Sequence, residues 1–437
     1  EAGNRAEQLL HQLEQLPSNE VRKGYSPAMV YNSVMTAWAK SGEPIAADKV
    51  DALLERLETK YFSGDARAQP SKTTFLCMLG AYAKARIPDA EKRCESLLRK
   101  MKYYHDEMRI PGMEPDRSIY NAILNAIAKS HRPSSVAKVE EILTMMQSST
   151  DQRLRPDIIT YATVIDCHTK CGGDPERAEE ILRFVLDKYR GGDKSLEPNA
   201  VFYSAVLQAW AKTAAPLGAR KAEGLLRRNI ELYEEGKIYA KPHAIMYNAV
   251  MDAIARSGES TSGPRAEDLL NEMESLYRAG NDELKPNRRS YNAVILAYRN
   301  AGDGGRKAEE LLQRMEELSE SGRPELTPDV VSYNCVISAI VDGGNSNKDD
   351  DTVADRAQSI LDRMEQRRIR PDGRTYSPVI EAWLRRNDEK GHALAEMMLQ
   401  QFLEKVDLEK RKRKPGKDHN LYEDAVWDVV NAYREKK

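Results

Sequence analysis

Cysteine is scarce in this chain: Cys77, Cys94, Cys167, Cys171 and Cys335 are five in 437 residues, an odd number, which fits a reducing compartment better than a disulfide framework. No run of about 18 apolar residues occurs, so no membrane span is expected. Neither sign of charge dominates. With 67 Lys and Arg against 69 Asp and Glu the net charge is −2, so any anionic ligand has to be attracted by a local arrangement of charge. A phosphate-cradling Gly-Lys-Ser/Thr loop is missing, as are the His-x-Glu and downstream Cys-x-x-Cys of a zinc deaminase and any nucleophile with a matching base. No enzymatic activity, cofactor or metal is therefore expected. Cys167-His168-Thr-Lys-Cys171 has metal-binding residue types, but its His falls at a core position of a helix. Because the first residue is Glu1 and not Met, a further N-terminal stretch with any targeting peptide is expected to precede it.

What is present is a repeat. In Leu284-Lys-Pro-Asn-Arg-Arg-Ser-Tyr-Asn-Ala-Val-Ile295, Pro286 ends one helix and Tyr291 opens another whose apolar residues Tyr291, Val294, Ile295 and Tyr298 recur at helical spacing. The turn at 300–305 breaks it, and Ala308, Leu311, Leu312, Met315 and Leu318 restart the period on a second helix that Pro328 closes. Copies open at Tyr31, Phe75, Tyr120, Tyr161, Tyr203, Tyr247, Tyr291, Tyr333 and Tyr376, with a half-copy at Tyr422. A single helical pair cannot bury its apolar stripe without a stacked neighbour, so the spacing predicts an all-α array rather than separate globular domains. The expected divisions are a partial repeat at 1–27, nine repeats at 28–418 and a half-repeat at 419–437.

A second face of each first helix stays free of the core. At about 100° per residue, the positions two before the Tyr, one after it and nine after it share one side of the wheel, opposite the apolar stripe. The position after the Tyr is Asn32, Leu76, Asn121, Ala162, Ser204, Asn248, Asn292, Asn334 and Ser377. A helix cap is one reading of such an Asn. Nine after the Tyr stand Lys40, Lys84, Lys129, Lys170, Lys212, Arg256 and Arg385, with Asn300 and Asp342 as exceptions. Cations at a helix C-terminus also suit its dipole. Stacked in parallel, the two positions make an amide ladder beside a basic ladder, which suits a single nucleic-acid strand with phosphates on the cations and base edges on the amides. The basic run Lys410-Arg-Lys-Arg-Lys414 is read as solvated.

Pro-Asp-Val-Val-Ser-Tyr-Asn-Cys-Val-Ile at 328–337 and Ala-Glu-Glu-Leu-Leu-Gln-Arg-Met at 308–315 resemble the pentatricopeptide repeat, in a variant with a longer second helix and loop. The tetratricopeptide pattern Trp-Leu-Gly-Tyr is not found; Trp38, Trp210 and Trp383 fall at a core position. The resemblance implies a right-handed α-solenoid superhelix, monomeric, that binds single-stranded RNA in a mitochondrion or plastid and acts in RNA stability, processing or translation. It also implies that the residue after the Tyr and the residue after the terminal Pro jointly read one base, while the residue two before the Tyr packs on the base ring. The matching pairs are Asn32 with Ser71, Asn121 with Asp157, Asn248 with Asn287, Asn292 with Asp329 and Asn334 with Asp372; Ser377 with Asp418 is a weak match. Leu76 with Asp116, Ala162 with Asn199, and Ser204 with His243 depart from the family's pairs. The ring-packing residues are Met29, Ile159, Val201, Ile245 and Val331, with Thr73, Ser118, Arg289 and Arg374 in the remaining copies. The implied target, 5′ to 3′, is pyrimidine, any, uracil, any, any, cytosine, uracil, uracil, guanine. The alternative is a protein-interaction or structural scaffold, such as a subunit of an organellar ribosome or other ribonucleoprotein assembly.

Overall fold

The computed structural model describes residues 2–15, 26–213, 216–238, 240–301, 304–343, 352–386 and 388–412, with side chains as far as 405. The expected half-repeat at 419–437, Asp418 and the side chains of the basic run at 410–414 lie outside the described residues.

Among the described residues there are nineteen α-helices and no strand. They fall into two compact units, residues 1–209 and 210–437. The first holds α1 (Ala2–Glu14), then the pairs α2 (Pro27–Ser41) and α3 (Ala46–Phe62), α4 (Lys72–Ala85) and α5 (Ala90–Asp106), α6 (Arg117–Lys129) and α7 (Ser134–Ser148), and α8 (Ile158–Cys171) and α9 (Pro175–Arg190), before α10 (Ala200–Ala211). The second holds α11 (Pro216–Glu234), the pairs α12 (Ala244–Ser257) and α13 (Ser262–Arg278), α14 (Arg288–Ala301) and α15 (Gly305–Glu320), and α16 (Val330–Gly343) and α17 (Thr352–Gln366), then α18 (Gly373–Arg385) and α19 (Glu389–Lys412). Within each unit the first helices lie side by side, α2 on α4, α4 on α6 and α6 on α8, and likewise α12, α14, α16 and α18. Within each unit second helices pack on their own partners and on the first helix of the next pair, as α3 does on α2 and α4 and α15 on α14 and α16. The apolar stripe of every pair thus finds the neighbour that its isolation would deny it.

The helix boundaries follow local chemistry. The residue after each Pro caps the next first helix: Asp157 accepts from Thr160 N at 2.9 Å and Asp372 from Thr375 N at 3.0 Å, while each Thr hydroxyl accepts from the cap's own N–H. Two otherwise orphaned donors are satisfied at each such start. The long loops contain a further one-turn helix at 66–68, 152–154, 194–196, 282–284 and 324–326. Four of these turns follow a glycine with φ near +100° (Gly64, Gly192, Gly280 and Gly322), a conformation that L side chains rarely adopt. Ala68, Leu196, Leu284 and Leu326 plug the core from these turns. The extra residues that lengthen the repeat therefore add core contacts.

The opening aromatics are buried in all nine copies, as are Trp38, Trp210 and Trp383. Trp38 and Tyr298 each face a glycine near the start of the preceding helix, Gly3 and Gly263; a Cβ on Gly263 would stand 2.3 Å from the Tyr298 ring, a distance side chains do not tolerate. Four of the Tyr hydroxyls are satisfied by a device spanning three helices. Glu14 at the end of α1 accepts from Tyr31 of α2 at 2.6 Å and from Arg56 of α3. Glu316 of α15 accepts from Tyr333 of α16 at 2.6 Å and from Arg363 of α17, and Glu274 does the same for Tyr291 and Arg314. Glu365 repeats the arrangement with Tyr376 and Lys405. A parallel link stands about two turns further along: Glu140 of α7 bonds His168 of α8 at 2.8 Å and Arg177 of α9 at 2.9 Å. Buried carboxylates need such partners, because an unpaired charge there would carry an uncompensated desolvation cost.

Two expectations follow. Leu312 is fully buried, so Leu312→Ala costs on the order of 2–5 kcal/mol, and in a stack of nearest neighbours the loosening stays near α15; equal loosening of amide exchange in α2 would contradict the nearest-neighbour stack. Glu140 is held down to about 2 from an ordinary 4.5: burial pushes it up, but the bonds to His168 and Arg177 outweigh burial. A depressed carboxylate contributes stability above its unfolded value and loses it as pH falls toward the folded one. The opening free energy of α8 amides should accordingly decline on moving from pH 5 to pH 3 in the native protein and decline less in Glu140→Gln.

Candidate nucleic-acid interface

The free face of the first helices is set by what lies behind it. With the Tyr ring in the core, the residue two before it and the residue after it point elsewhere. The former is a large apolar side chain left out in solvent in five copies: Met29 is 70 % exposed, Val201 63 %, Ile159 60 %, Val331 55 % and Ile245 42 %. Single exposed apolar residues are ordinary, but recurrence at one helical position in successive repeats marks a surface built to be covered. Four copies depart: Thr73 and Ser118 are exposed and polar, Arg289 makes an ion pair with Asp252 at 2.6 Å, and Arg374 is an exposed cation.

The residue after the Tyr is not the helix cap in any described repeat; the cap lies four residues before the aromatic, directly after the Pro, except in the first repeat, where Ser26 stands five before Tyr31. The structure brings two of the matched pairs into direct contact. Asn121 Nδ2 donates to Asp157 Oδ1 at 3.2 Å, and Asn334 Nδ2 donates to Asp372 Oδ1 at 3.0 Å. In each, the Asn Oδ1 accepts from the Thr of the following cap, Thr160 at 2.7 Å and Thr375 at 2.6 Å. The amide is locked in one orientation, with one N–H still unspent and a carboxylate beside it. This Thr was missed by sequence reasoning, although its spacing three residues after the Asp is a capping-box signal.

The other matched pairs are arranged more loosely. Asp329 caps α16 through Ser332 N at 3.1 Å and takes Arg288 at 3.2 Å, and Asn287 caps α14 through Ser290 N at 3.3 Å. Ser71 caps α4 in a box with Thr74. Their partners Asn292, Asn248 and Asn32 each have a buried Oδ1 without a hydrogen-bond partner among the described residues. Asn248 is itself buried, unlike the others, and Ser377 is half-buried.

The basic ladder differs between the units. In the first, Lys40 and Lys84 are exposed, and no acidic partner is found for them among the described residues. Lys129 faces Lys170, whose like charge, together with burial, pulls it below the ordinary lysine value, and Lys170 is in turn tied to Asp166. In the second unit Lys212 and Arg256 are exposed. Three later copies are occupied: Asn300 donates to the Ala255 carbonyl at 2.7 Å, Asp342 pairs with Arg299 at 3.0 Å, and Arg385 donates to the Val341 carbonyl at 2.9 Å and to Glu381 at 2.8 Å. There the position serves to tie one helix end to the next. Elsewhere, His168 is engaged by Glu140 and the Cys167 and Cys171 thiols are buried 3.8 Å apart; no group of three potential metal ligands occurs among the described residues.

If the ladder holds phosphates, log affinity for single-stranded RNA falls with log salt at about −0.7 per neutralised phosphate. Replacing Lys40, Lys84 and Lys129 by Gln should flatten that slope with helical content unchanged, whereas Arg385→Gln should leave the slope alone and loosen α18. A slope insensitive to the three lysines would remove their assigned role.

The family model for the pentatricopeptide repeat domain matches residues 269–343 and 318–386. Among solved structures, the chain is similar to the pentatricopeptide repeat protein PPR10 in complex with an 18-nt psaJ RNA element, with TM-score 0.46 and 20% identity over 99% of this chain and 56% of that one. It is also similar to PPR10 from maize, with TM-score 0.44 and 18% identity over 99% of this chain and 55% of that one. This chain thus spans little more than half the length of those proteins, and likeness at that level carries no weight beside the repeats themselves. No curated protein matches this chain by sequence.

Proposed function

We propose that this chain, a pentatricopeptide repeat protein, binds single-stranded RNA along the free face of its first helices and reads it one base per repeat. The observation that carries this reading is the Asn–Asp contact between successive repeats, made at Asn121 with Asp157 and again at Asn334 with Asp372. A solvent-exposed apolar residue three positions before Asn334, and likewise before Asn32 and Asn248, offers a surface for a base ring; an amide beside a carboxylate offers donors and acceptors for its edge. Nothing in the core requires an Asn or an exposed Val at these positions. The setting in which this binding operates is RNA stability, processing or translation in a mitochondrion or plastid, with the chain acting as a monomer and possessing no catalytic step of its own.

A scaffold within an organellar ribosome or another ribonucleoprotein assembly is the second reading, and the three occupied ladder positions at 300, 342 and 385 favour it. The two are separated by selecting bound sequences from a random RNA pool. Base reading predicts a pyrimidine-rich core. It also predicts that Asp372→Asn moves the position served by Asn334 from uracil toward cytosine and leaves its neighbours unchanged. A good edge contact is worth roughly 1–3 kcal/mol if direct-readout magnitudes from duplex DNA carry over. A pool that shows no core, or a variant that shifts nothing, transfers the case to the scaffold.

A further inference from the structure

Between the position after the Tyr and the basic ladder lies a position that the pairing scheme leaves unused, five residues after the Tyr. On the helical wheel it falls between the others, at about one turn from each. Its occupants are Thr36, Gly80, Asn125, Asp166, Gln208, Asp252, Leu296, Ser338 and Glu381, and all nine are reached by solvent. The chemistry at this position depends on the residue one turn before it. In the three repeats where Asn gives way to a short side chain (Ala162, Ser204 and Ser377), the later position carries a longer polar one (Asp166, Gln208 and Glu381).

These three do not behave alike. Asp166 turns forward to Lys170 and Glu381 forward to Arg385, so each neutralises a rung of the ladder. Gln208 turns the other way: its Nε2 donates to Ser204 Oγ at 3.1 Å. That contact brings a carboxamide one helical turn back, to the level at which Asn121 or Asn334 presents its own. The hydroxyl takes one N–H of the amide, as Asp157 does from Asn121, and leaves the second N–H and the carbonyl oxygen to a ligand. In the same repeat Val201, 63 % exposed, supplies the apolar surface one turn earlier.

We propose that Gln208 is the specificity-determining residue of the Tyr203 repeat, supplying by its longer side chain the carboxamide that Asn supplies elsewhere, with Ser204 as its positioning residue. This rests on the reading of the chain as a base-by-base RNA binder. The ligand is the edge of a single unpaired nucleobase, at the fifth position of the target, where the family's pairing would set no preference.

The experiment is selection from a random single-stranded RNA pool with the native chain, Gln208→Ala and Gln208→Glu, read position by position. The native chain should show a base preference at the fifth position, about tenfold between best and worst base for one good edge contact. Gln208→Ala should abolish it while the sixth to eighth positions keep theirs, and Gln208→Glu should redirect it to guanine, whose adjacent N1–H and N2–H2 donors match an acceptor-only carboxylate. Both variants should retain helical content, and Gln208→Ala, which changes no charge, should retain the salt slope as well. Enrichment elsewhere but none at the fifth position, or a preference there that survives Gln208→Ala, overturns the assignment and leaves base reading intact. No enrichment anywhere with the native chain overturns both.

Discussion

Much of this structure depends on where the opening tyrosine of each first helix is pinned. Its ring is buried in the stripe that one helical pair shares with the next, and in several copies its hydroxyl is held by a carboxylate from the preceding second helix. That carboxylate is satisfied in turn by a guanidinium or ammonium from the following one, so three helices of two repeats are joined by one acid, buried at Glu274 and Glu316 and more open at Glu14 and Glu365. The link permits little rotation of the first helix about its axis. With the Tyr facing in, the residues two before and one after it are directed to the free surface by helical geometry alone. Energetically the acid is a constraint more than a source of stability, because its desolvation offsets much of what its two partners return.

The wiring is adjustable. In the Tyr247 repeat the acid is Glu272 on the second helix of the same pair, and Arg227 reaches it from the preceding helix, so the order of supply is reversed while the hydroxyl is still satisfied at 2.6 Å. At the Phe75 repeat there is no hydroxyl to hold, and Glu58 instead takes Tyr104 at 2.7 Å and Lys100. In these copies what persists is an acid at the joint and a base that answers it.

The helical pairs, their order and the core stripe were legible in the sequence because each rests on a local signal: the period of Tyr291, Val294 and Tyr298, the Pro before each aromatic, the small-residue turns. The free face could be read for the same reason, since burying one stripe exposes the opposite one. The joint was not legible. Glu316, Tyr333 and Arg363 lie far apart along the chain, and a charged residue on a helix looks solvated until the neighbour that buries it is known. The one-turn helices were hidden as well, because Gly-Asp before a Pro reads as loop although the Leu that follows belongs to the core. At the ladder, sequence could count cations but could not see that Arg385 spends its charge on Glu381 and a neighbouring carbonyl.

The two units consequently carry the same alphabet with different emphasis. Each has two open rungs, Lys40 and Lys84 in the first and Lys212 and Arg256 in the second, and one amide–acid contact; in the second the three later rungs are closed. Long-range attraction of a polyanion and discrimination among bases are separable tasks, one set by uncompensated charge and the other by short hydrogen-bond geometry.

The central claim is that RNA lies on the first-helix face with a base at each amide. It is tested most directly by photocrosslinking a 4-thiouridine-bearing single-stranded RNA to the intact chain and identifying the attached residues. The account predicts attachment at the positions two before and one after the opening tyrosines, such as Val331 and Asn334, recurring from repeat to repeat. Attachment confined to the second helices or to the loops between pairs would contradict it.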